Sequence, residues 1–374
     1  MISRGRVFLT GATGFVGMEV LVRYLELGSR SVTCLVRAES DEAARARLDK
    51  ILDQLIANGA ELFAHRVEAV AGEMTADDLG LSAELRERLA AETTTIVHCA
   101  ANVAFDQELE DARATNLGGT RRMLEFATLA QQHGGLHRYA QVSTAYVAGT
   151  HTGRFTEDDL DVGQGFRNTY EQSKFESEKM IRAEADHLPW IVLRPSIVVG
   201  DQSSGWTAAF NVMYWPLRAL STGLFRAVPA MPEAPLDIVS IDYVADAIYE
   251  LAECPQDSTH KTFLLTASED ATSFGEIVSL ASRYFRKPEP KAVPPSEFNI
   301  GAGSLSDAAM EAIRVYFPYF AIATKFDNAR TRTRLAQAGI HCPPLREYLH
   351  RLLDFATQSR WGKRPIARAE APTG

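Results

Sequence analysis

The stretch "LTGATGFVG", residues 9–17, joins an apolar strand-like run to a segment with helical periodicity. Gly11, Gly14 and Gly17 recur at every third position within it. Glycines at such a place allow a tight turn, a close approach of the backbone to a pyrophosphate, and close packing of helix on sheet. The start of the following helix adds N–H donors and a positive dipole end. The stretch therefore predicts a dinucleotide site; the alternative is a tight strand–helix turn that binds no ligand.

Strand-like and helix-like segments alternate outward from this loop. Apolar runs such as "SVTCLV" and "TTIVHCA" are separated by amphipathic segments such as "DEAARARLDKILDQLIANG". Apolar strands spaced by helices predict an α/β protein with a doubly wound parallel sheet covered on both faces. We expect this part over residues 1–285, with a substrate-side insertion at about 202–235. A smaller, mostly helical region should follow over 286–362, and a disordered tail over 363–374.

Composition and charge exclude several other classes of protein. The chain has 374 residues, of which 46% are hydrophobic and 23% charged, as in ordinary globular proteins. Its net charge of −9 argues against general nucleic-acid binding. The four cysteines lie far apart without a CxxC spacing, so no metal site or disulfide framework is expected, and the pattern is typical of a reducing cytosol. No apolar stretch reaches the roughly 18 residues of a membrane span, so we expect a cytoplasmic protein without a transmembrane segment.

A basic residue follows the second predicted strand. In "CLVRAES", Arg37 takes the place where NAD-binding proteins of this type usually have an acid for the ribose 2′-OH. A guanidinium matches a 2′-phosphate in charge and geometry, which predicts NADPH as the cofactor. Arg47 is a candidate second phosphate ligand. The alternative for both is a solvated surface arginine.

A tyrosine and a lysine stand four residues apart in "NTYEQSKFESEK", residues 168–179. Tyr170 and Lys174 therefore share one face of a predicted helix. A nearby ammonium lowers the pKa of a phenol, so Lys174 could prepare Tyr170 for proton transfer while bonding the nicotinamide ribose. Ser143 and Thr144 end an earlier strand, where open α/β sheets bind ligands. A surface Tyr–Lys pair is the alternative, but the order of these motifs favours a catalytic group.

Taken together, the motifs resemble the extended short-chain dehydrogenase/reductases. Within these, the chain is similar to the thioester-reductase and fatty acyl-CoA reductase branch, which has a male-sterility-type NAD-binding domain. The motifs are collinear over about residues 6 to 250. They are "TGATGFVG", "CLVRA", "VAGEMTADDLGLS", "IVHCAANVAF", "TNLGGTRRML", "VSTAYVAG", "YEQSK", "LRPSIVVGDQSSG" and "LDIVSIDYVADAI".

The resemblance implies catalytic roles for Thr144, Tyr170 and Lys174, with Ser143 beside the catalytic hydroxyl. It also implies a set of cofactor-binding residues along the whole matched part. These are Gly11, Thr13, Gly14, Phe15, Val16, Gly17, Arg37, Arg47, Glu73, Met74, Ala100, Ala101, Asn116, Tyr170, Lys174, Pro195, Ser196 and Val198.

Four places in the matched motifs carry particular expectations. Glu73 stands where the family usually has an aspartate near the adenine, and Cys99 replaces a common asparagine. Asn116 matches a position that braces the site. The segment from Pro195 to Val198 matches the one that passes the nicotinamide.

Two further segments are candidates for the substrate side. In "SGWTAAFNVMYWPLRALSTGLF", residues 204–225, aromatic and methionine side chains could line an acyl tunnel or form its lid, or they could be plain core. Residues 325–364 hold nine Lys/Arg against three Asp/Glu. They could receive the phosphates of CoA or an acidic acyl carrier protein, or form ordinary solvated helix faces.

The expected activity is NADPH-dependent reduction of an acyl thioester, carried by CoA or an acyl carrier protein, to an aldehyde; a second hydride would give an alcohol. One alternative is an extended reductase that acts on a ketone, a hydroxysteroid-like compound or a sugar nucleotide. Another is a cofactor-sensing protein without catalysis. The sequence leaves acyl length, carrier, number of electrons and oligomeric state open.

Overall fold

A parallel sheet of seven strands organises the computed structural model, which describes residues 5–210, 212–223, 227–254, 259–294 and 317–371. The strands in these residues are β1 Arg6–Thr10, β2 Val32–Val36, β3 Val67–Ala71, β4 Thr93–His98, β5 Arg138–Val142, β6 Gly153–Thr156, β7 Trp190–Pro195, β8 Ile197–Val199, β9 Ala227–Pro229, β10 Pro235–Leu236, β11 Ile238–Ser240, β12 Lys261–Leu265, β13 Thr272–Ser273, β14 Lys291–Val293 and β15 Thr324–Asp327.

The α-helices of the same residues pack on the faces of the sheet or on one another. They are α1 Phe15–Glu26, α2 Asp41–Leu55, α3 Gly59–Leu62, α4 Ala83–Glu92, α5 Leu109–Ala112, α6 Gly118–His133, α7 Thr169–Glu184, α8 Tyr214–Thr222, α9 Ile241–Glu253, α10 Phe274–Phe285, α11 Ala329–Ala336 and α12 Leu345–Gln358. None of them has both the length and the apolar character that a membrane crossing needs. The cytoplasmic location stays a prediction.

The strand order places the ligand-binding edge. The order is β12-β7-β5-β4-β1-β2-β3, and every neighbouring pair is parallel. From β1 the chain moves one way to β2 and β3, and then returns to β4 and moves the other way. A crevice opens at the carboxyl ends of the strands where the order reverses, between β1 and β4. The predicted doubly wound α/β fold is confirmed.

Two apolar layers hold the sheet between helices. On one face, Val20 and Leu21 of α1 and Val244 and Ile248 of α9 are fully buried against the strands. On the other face, α4, α6 and α7 pack, with Phe126 of α6 fully buried. Strand β2 is buried over its whole length, as expected for a strand covered on both sides.

The region after residue 285 contains strands as well as helices. Strand β15 pairs in parallel with β6, and β14 pairs in parallel with β9. The sequence does not predict either pairing, because each joins a short strand to one far away along the chain. The prediction of a mostly helical region therefore holds for α11 and α12 and not for these strands. The division at about residue 285 itself stays a prediction.

Residues 363–371 pack against the rest of the protein, where the sequence predicts a disordered tail. The indole Nε1 of the fully buried Trp206 donates a hydrogen bond to the carbonyl oxygen of Ile366 at 3.0 Å. The guanidinium of Arg368 lies 3.6 Å from the carboxylate of Glu19 in α1. One large apolar residue among alanines, charges and a proline gives no clear periodicity, which is why the sequence does not reveal this contact. Residues 372–374 lie outside the described residues.

Candidate active site

The carboxyl ends of β1, β4, β5 and β7 surround a cavity of about 1440 Å³. This volume exceeds that of a typical small-molecule pocket, so it leaves room for a dinucleotide and a second ligand. The structure brings together nearly all predicted site residues here. Those that line the cavity are Gly11, Thr13, Gly14, Phe15, Val16, Gly17, Arg37, Arg47, Glu73, Met74, Ala100, Ala101, Ser143, Thr144, Tyr170, Lys174, Pro195, Ser196 and Val198.

The glycine loop lies too close to its neighbours for side chains at two positions. Gly11 has a φ of +76°, and a Cβ there would lie 2.7 Å from the backbone nitrogen of Ala100. A Cβ on Gly17 would lie 2.1 Å from the carbonyl oxygen of Gly11. Gly14 caps α1 without a side-chain hydrogen bond. The first N–H groups of α1 therefore remain for an anion in the cavity, as in a pyrophosphate site.

Arg37 directly follows β2, and Arg47 of α2 lies beside it. Both are exposed and line the cavity, and the guanidinium of Arg47 donates a hydrogen bond to the carbonyl oxygen of Arg37. Among the described residues, neither guanidinium forms an ion pair with a carboxylate. Two cations without a carboxylate partner suit a bound phosphate.

Two side chains near the end of β4 are held in their neutral forms by burial. His98 shares a hydrogen bond of 2.7 Å between its Nδ1 and the hydroxyl of Thr10, and burial lowers its pKa to about 3. Burial likewise raises the pKa of the Cys99 thiol to about 12. The thiol therefore keeps its proton near neutral pH, so it is not a thiolate nucleophile. The sequence does not single out His98.

Helix α7 carries Tyr170 and Lys174 to the cavity. Asn168 starts this helix by accepting a hydrogen bond from the backbone N–H of Glu171 at 3.0 Å. Lys174 is buried, and its ammonium donates to the carbonyl oxygen of Val142 at 2.8 Å. Burial lowers the pKa of Lys174 to about 8, because the charged form loses its hydration.

The phenol of Tyr170 differs from the expectation. Burial raises its pKa to about 12, and a hydrogen bond with the Thr144 hydroxyl offsets only part of that rise. The ammonium of Lys174, which the sequence predicts to lower the pKa of Tyr170, is bonded to Val142 and is not among the groups that shift it. The spacing correctly places the two side chains in one cavity, but it does not predict the direction of the shift.

The predicted hydroxyls at the end of β5 have different surroundings. The Thr144 Oγ1 accepts a hydrogen bond from the backbone N–H of Tyr146 at 3.2 Å and donates a long one to the carbonyl oxygen of Pro195 at 3.5 Å. The Ser143 Oγ has no hydrogen-bond partner among the described residues, although this side chain is only 3% exposed. Ser143 therefore offers a donor to a ligand in the cavity.

Asn116 is the one predicted cofactor-binding residue that does not line the cavity. It lies in a π-helical turn, Arg113–Leu117, behind the cavity wall. Its Nδ2 donates to the carbonyl oxygen of Asn102 at 3.0 Å and to the hydroxyl of Ser173 at 2.9 Å. Its Oδ1 accepts from the backbone N–H of Asn102 at 2.8 Å. The side chain thus ties a cavity loop to α7, which agrees with bracing and not with direct contact to a cofactor.

A buried ion pair lies one helical turn beyond Lys174. Glu178 and Arg194 are both fully buried, and their closest atoms, Oε2 and Nη2, are 2.6 Å apart. The Arg194 guanidinium also lies over the ring of Phe155, 5.5 Å from its centroid. Sequence reasoning missed this pair. Its one visible trace is an arginine inside the apolar strand "WIVLRP".

The aromatic stripe of residues 204–225 is mostly core. Trp206, Met213 and Tyr214 are buried, and Phe210 packs on Tyr214 with ring centroids 5.1 Å apart. Trp215 is 43% exposed. None of these five lines the cavity. Phe225 lies outside the described residues.

Three arginines of the basic segment form ion pairs within the chain. The carboxylate partners of Arg330 and Arg334 lie far away along the chain and compete with CoA or a carrier protein for these two charges. Arg332 and Glu269 are both exposed, so that pair is weak. The pairs are Arg330 with Asp158 at 2.7 Å, Arg332 with Glu269 at 3.5 Å and Arg334 with Glu250 at 2.8 Å.

The sheet order, the glycine loop and the Tyr170–Lys174 pair in one cavity define a dinucleotide-binding protein with the fold of the extended short-chain dehydrogenase/reductases. A family model described as "Male sterility protein" matches residues 9–248, which is more than half of the chain. The chain belongs to this family.

Two curated relatives and one solved structure are similar to this chain. A carboxylic acid reductase of Mycobacterium marinum is 32% identical over 73% of this chain and 25% of its own length. The fatty acyl-CoA reductase wat of Drosophila melanogaster is 27% identical over 65% of this chain and 53% of its own length. The terminal R domain from the myxalamid PKS-NRPS pathway has a TM-score of 0.83 at 25% identity, and covers 97% of this chain and 93% of its own. The chain thus spans between a quarter and about half the length of these curated relatives.

Proposed function

We propose that this protein reduces acyl thioesters to aldehydes with NADPH. When bound, NADPH supplies a hydride, so that one thioester, one NADPH and one proton become one aldehyde, one thiol and NADP⁺. The observation that carries the proposal is that Thr144, Tyr170 and Lys174 line the same cavity as the glycine loop. Similarity to a carboxylic acid reductase and a fatty acyl-CoA reductase supports an acyl substrate.

The residues around the glycine loop fit a dinucleotide phosphate. The close approach of Gly17 to Gly11 and the uncapped start of α1 suit a pyrophosphate. Arg37 and Arg47 suit the additional 2′-phosphate that distinguishes NADPH from NADH, because no carboxylate among the described residues neutralises them. NADPH is therefore the proposed cofactor.

The Thr144 and Tyr170 hydroxyls would hold the thioester carbonyl oxygen. Negative charge develops on this oxygen during reduction, so hydrogen bonds aimed at it stabilise the transition state. The raised pKa of Tyr170, about 12, keeps the phenol protonated near neutral pH. Tyr170 is thus a donor that can transfer its proton to the oxygen as the charge develops.

Lys174 would act behind the tyrosine. Its pKa of about 8 means that the ammonium is mostly charged at neutral pH and can exchange its proton there. From its place one turn along α7, it would bind the nicotinamide ribose and return a proton toward Tyr170. Hydride transfer directly to the thioester carbonyl needs no covalent acyl-enzyme, and the Cys99 thiol, which burial keeps protonated, takes no part in this scheme.

The carrier and the number of hydrides transferred stay open in this proposal. CoA and an acyl carrier protein present the same thioester to the cavity. The ion pairs of Arg330, Arg332 and Arg334 remove one argument for electrostatic docking of either carrier. A second hydride would convert the aldehyde to an alcohol.

The test is to incubate the protein with NADPH and a panel of acyl-CoAs, to follow loss of NADPH absorbance, and to identify the products. UDP-sugars and simple ketones serve as competing substrate classes. Tyr170→Phe should lower turnover by about 10²–10⁴-fold and leave NADPH affinity nearly unchanged. Tyr249→Phe is the matched control, because Tyr249 packs on Tyr24 away from the cavity. Turnover of ketones or sugar nucleotides in place of thioesters, or near-normal turnover by Tyr170→Phe, would overturn the proposal.

A further inference from the structure

We propose that Tyr319 positions the substrate: with Phe105 and Tyr146 it forms an aromatic wall that receives the acyl carbons next to the thioester carbonyl and selects apolar acyl groups. This inference rests on the proposed thioester reduction and names the class of acyl group. Residue 319 lies beyond the family match, which ends at residue 248. The sequence does not single out any of these three residues.

The three rings form one continuous surface that begins at Tyr170. The ring centroids of Phe105 and Tyr170 are 5.9 Å apart. Phe105 also stacks on Tyr319, with centroids 5.6 Å apart and planes 17° apart, and Tyr319 meets Tyr146 edge to face at 5.1 Å. All four side chains line the cavity. An acyl group whose carbonyl oxygen reaches Tyr170 would therefore have its first carbons beside this aromatic wall.

Hydrogen bonds fix Tyr319 relative to the catalytic helix. The Tyr319 hydroxyl donates to Oε1 of Glu171 at 2.7 Å and accepts from Nδ2 of Asn168 at 2.8 Å. Glu171 is fully buried and directly follows Tyr170 in α7. The distance between the ring of Tyr319 and the proton donor is thus set by a buried bond, which is what a positioning residue requires.

The two charged side chains that contact Tyr319, Glu171 and Arg167, are already bonded within the protein. The carboxylate of Glu171 accepts hydrogen bonds from Tyr319 and from the backbone N–H of Arg167 at 2.9 Å. The guanidinium of Arg167 lies over the ring of Tyr319, 5.8 Å from its centroid, with Nη1 3.5 Å from Glu171. Against these rings, an ammonium next to the carbonyl would lose water without gaining the Glu171 carboxylate, which is already bonded. Asp106 also lines the cavity, but its carboxylate is exposed to solvent and so interacts more weakly with a charge. An alkyl or aryl group would instead bury apolar surface against the rings.

The residues proposed for the chemistry and the residue proposed for acyl selection lie in different parts of the chain. Residues within the family match supply the glycine loop, Tyr170 and Lys174, and hence the proposed chemistry. Tyr319 adds a surface that the chemistry does not need but that the acyl group must contact. Acyl selectivity can therefore change without loss of hydride transfer.

The experiment compares octanoyl-CoA, benzoyl-CoA, the branched 2-ethylhexanoyl-CoA and alanyl-CoA as substrates of the full chain. We expect kcat/KM for octanoyl- and benzoyl-CoA to exceed that for alanyl-CoA by at least about tenfold. Tyr319→Ala should raise KM for octanoyl-CoA by about tenfold and affect the branched substrate less, because the missing ring leaves space. Tyr319→Phe should have an intermediate effect, because it keeps the ring and loses the bond to Glu171.

Binding and control measurements separate positioning from general damage. The affinity for S-octyl-CoA, an unreactive thioether, should fall about tenfold in Tyr319→Ala, and the affinity for NADPH should not change. Phe320→Leu is the matched control. Phe320 is the next residue, is equally buried, and packs on Phe274 away from the cavity. Phe105→Leu gives a second test on the same wall if Tyr319→Ala does not fold.

The outcomes distinguish this inference from the proposed function. A wild-type protein that reduces none of the acyl-CoAs would overturn the proposed function and this inference with it. Reduction that favours alanyl-CoA would overturn the inference alone. An equal loss for all four substrates in Tyr319→Ala and in Phe105→Leu would also overturn it, because a positioning surface must discriminate among acyl groups.

Discussion

Replacing Lys174 with methionine should make the protein more stable at neutral pH while removing its turnover. Burial lowers the pKa of Lys174 from 10.5 to about 8, so the folded state holds the ammonium at a cost of about 3 kcal/mol. Methionine has a similar length and no charge to desolvate. Loss of the hydrogen bond to the Val142 carbonyl oxygen should destabilise the variant by about 1 kcal/mol, which offsets part of this gain. The net gain in the free energy of unfolding should be about 2 kcal/mol.

The sign and the pH window of this gain follow from the lowered pKa. Between about pH 8 and 10.5, the lysine is protonated in the unfolded chain and largely deprotonated in the folded protein. The unfolded state then binds more protons, so the wild type becomes more stable as the pH rises. Below about pH 8 both states are protonated and the penalty is constant. The advantage of Lys174→Met is therefore full at neutral pH and shrinks as the pH approaches 10.5.

The assay is urea unfolding of the wild type and Lys174→Met at about pH 7 and about pH 10. Lys179→Met is the control on the same helix. Its ammonium is 52% exposed and lies 2.7 Å from the carboxylate of Asp161, so its replacement should change stability little at either pH. A Lys174→Met protein that is less stable than the wild type by the same amount at both pH values would refute the desolvation argument.

Three further predictions concern the cofactor site and the buried ion pair. Arg37→Ala should lower kcat/KM for NADPH about ten- to a hundredfold and leave that for NADH nearly unchanged; an unaltered ratio would remove Arg37 from the phosphate site. Gly17→Ala places a Cβ 2.1 Å from the Gly11 carbonyl oxygen, so α1 or the loop must move. We expect cofactor affinity, measured by fluorescence titration, to fall at least about tenfold, and wild-type affinity would contradict the close-packing argument. Glu178→Gln leaves Arg194 buried without a carboxylate and should lower the free energy of unfolding by about 3–5 kcal/mol. Urea titration measures this loss; an unchanged free energy of unfolding would show that Arg194 does not depend on Glu178.

The fold and the cofactor cavity can be predicted because their determinants are local. Gly11, Gly14 and Gly17 stand within one loop, and the strands around them are continuous apolar runs. The four-residue spacing of Tyr170 and Lys174 likewise fixes a shared helix face. Each of these patterns can be recognised in a short window of sequence, and the structure brings their residues to one cavity.

The features that the sequence does not reveal are contacts between residues far apart along the chain and properties that depend on burial. The hydrogen bond between Glu171 and Tyr319 joins residues 148 positions apart, and no periodicity in the sequence predicts it. The same holds for Arg330, whose partner Asp158 lies 172 positions away along the chain. The pKa of Tyr170 rises because its surroundings exclude water, a quantity that the spacing to Lys174 does not contain. An aromatic stripe is similarly ambiguous, since core and ligand surfaces use the same side chains.

The packing of residues 363–371 sets a practical boundary for shortened versions of the chain. A fragment that stops at residue 362, where the sequence predicts order to end, would remove the hydrogen-bond acceptor of Trp206 and uncover an indole that is now fully buried. It would also take Arg368 away from Glu19, which belongs to the same helix whose first turn faces the cofactor cavity. Such trimming would show as a red shift of tryptophan emission and a looser nucleotide site. Fragments prepared for crystallisation or for fusion to a neighbouring domain should therefore retain residues through 371.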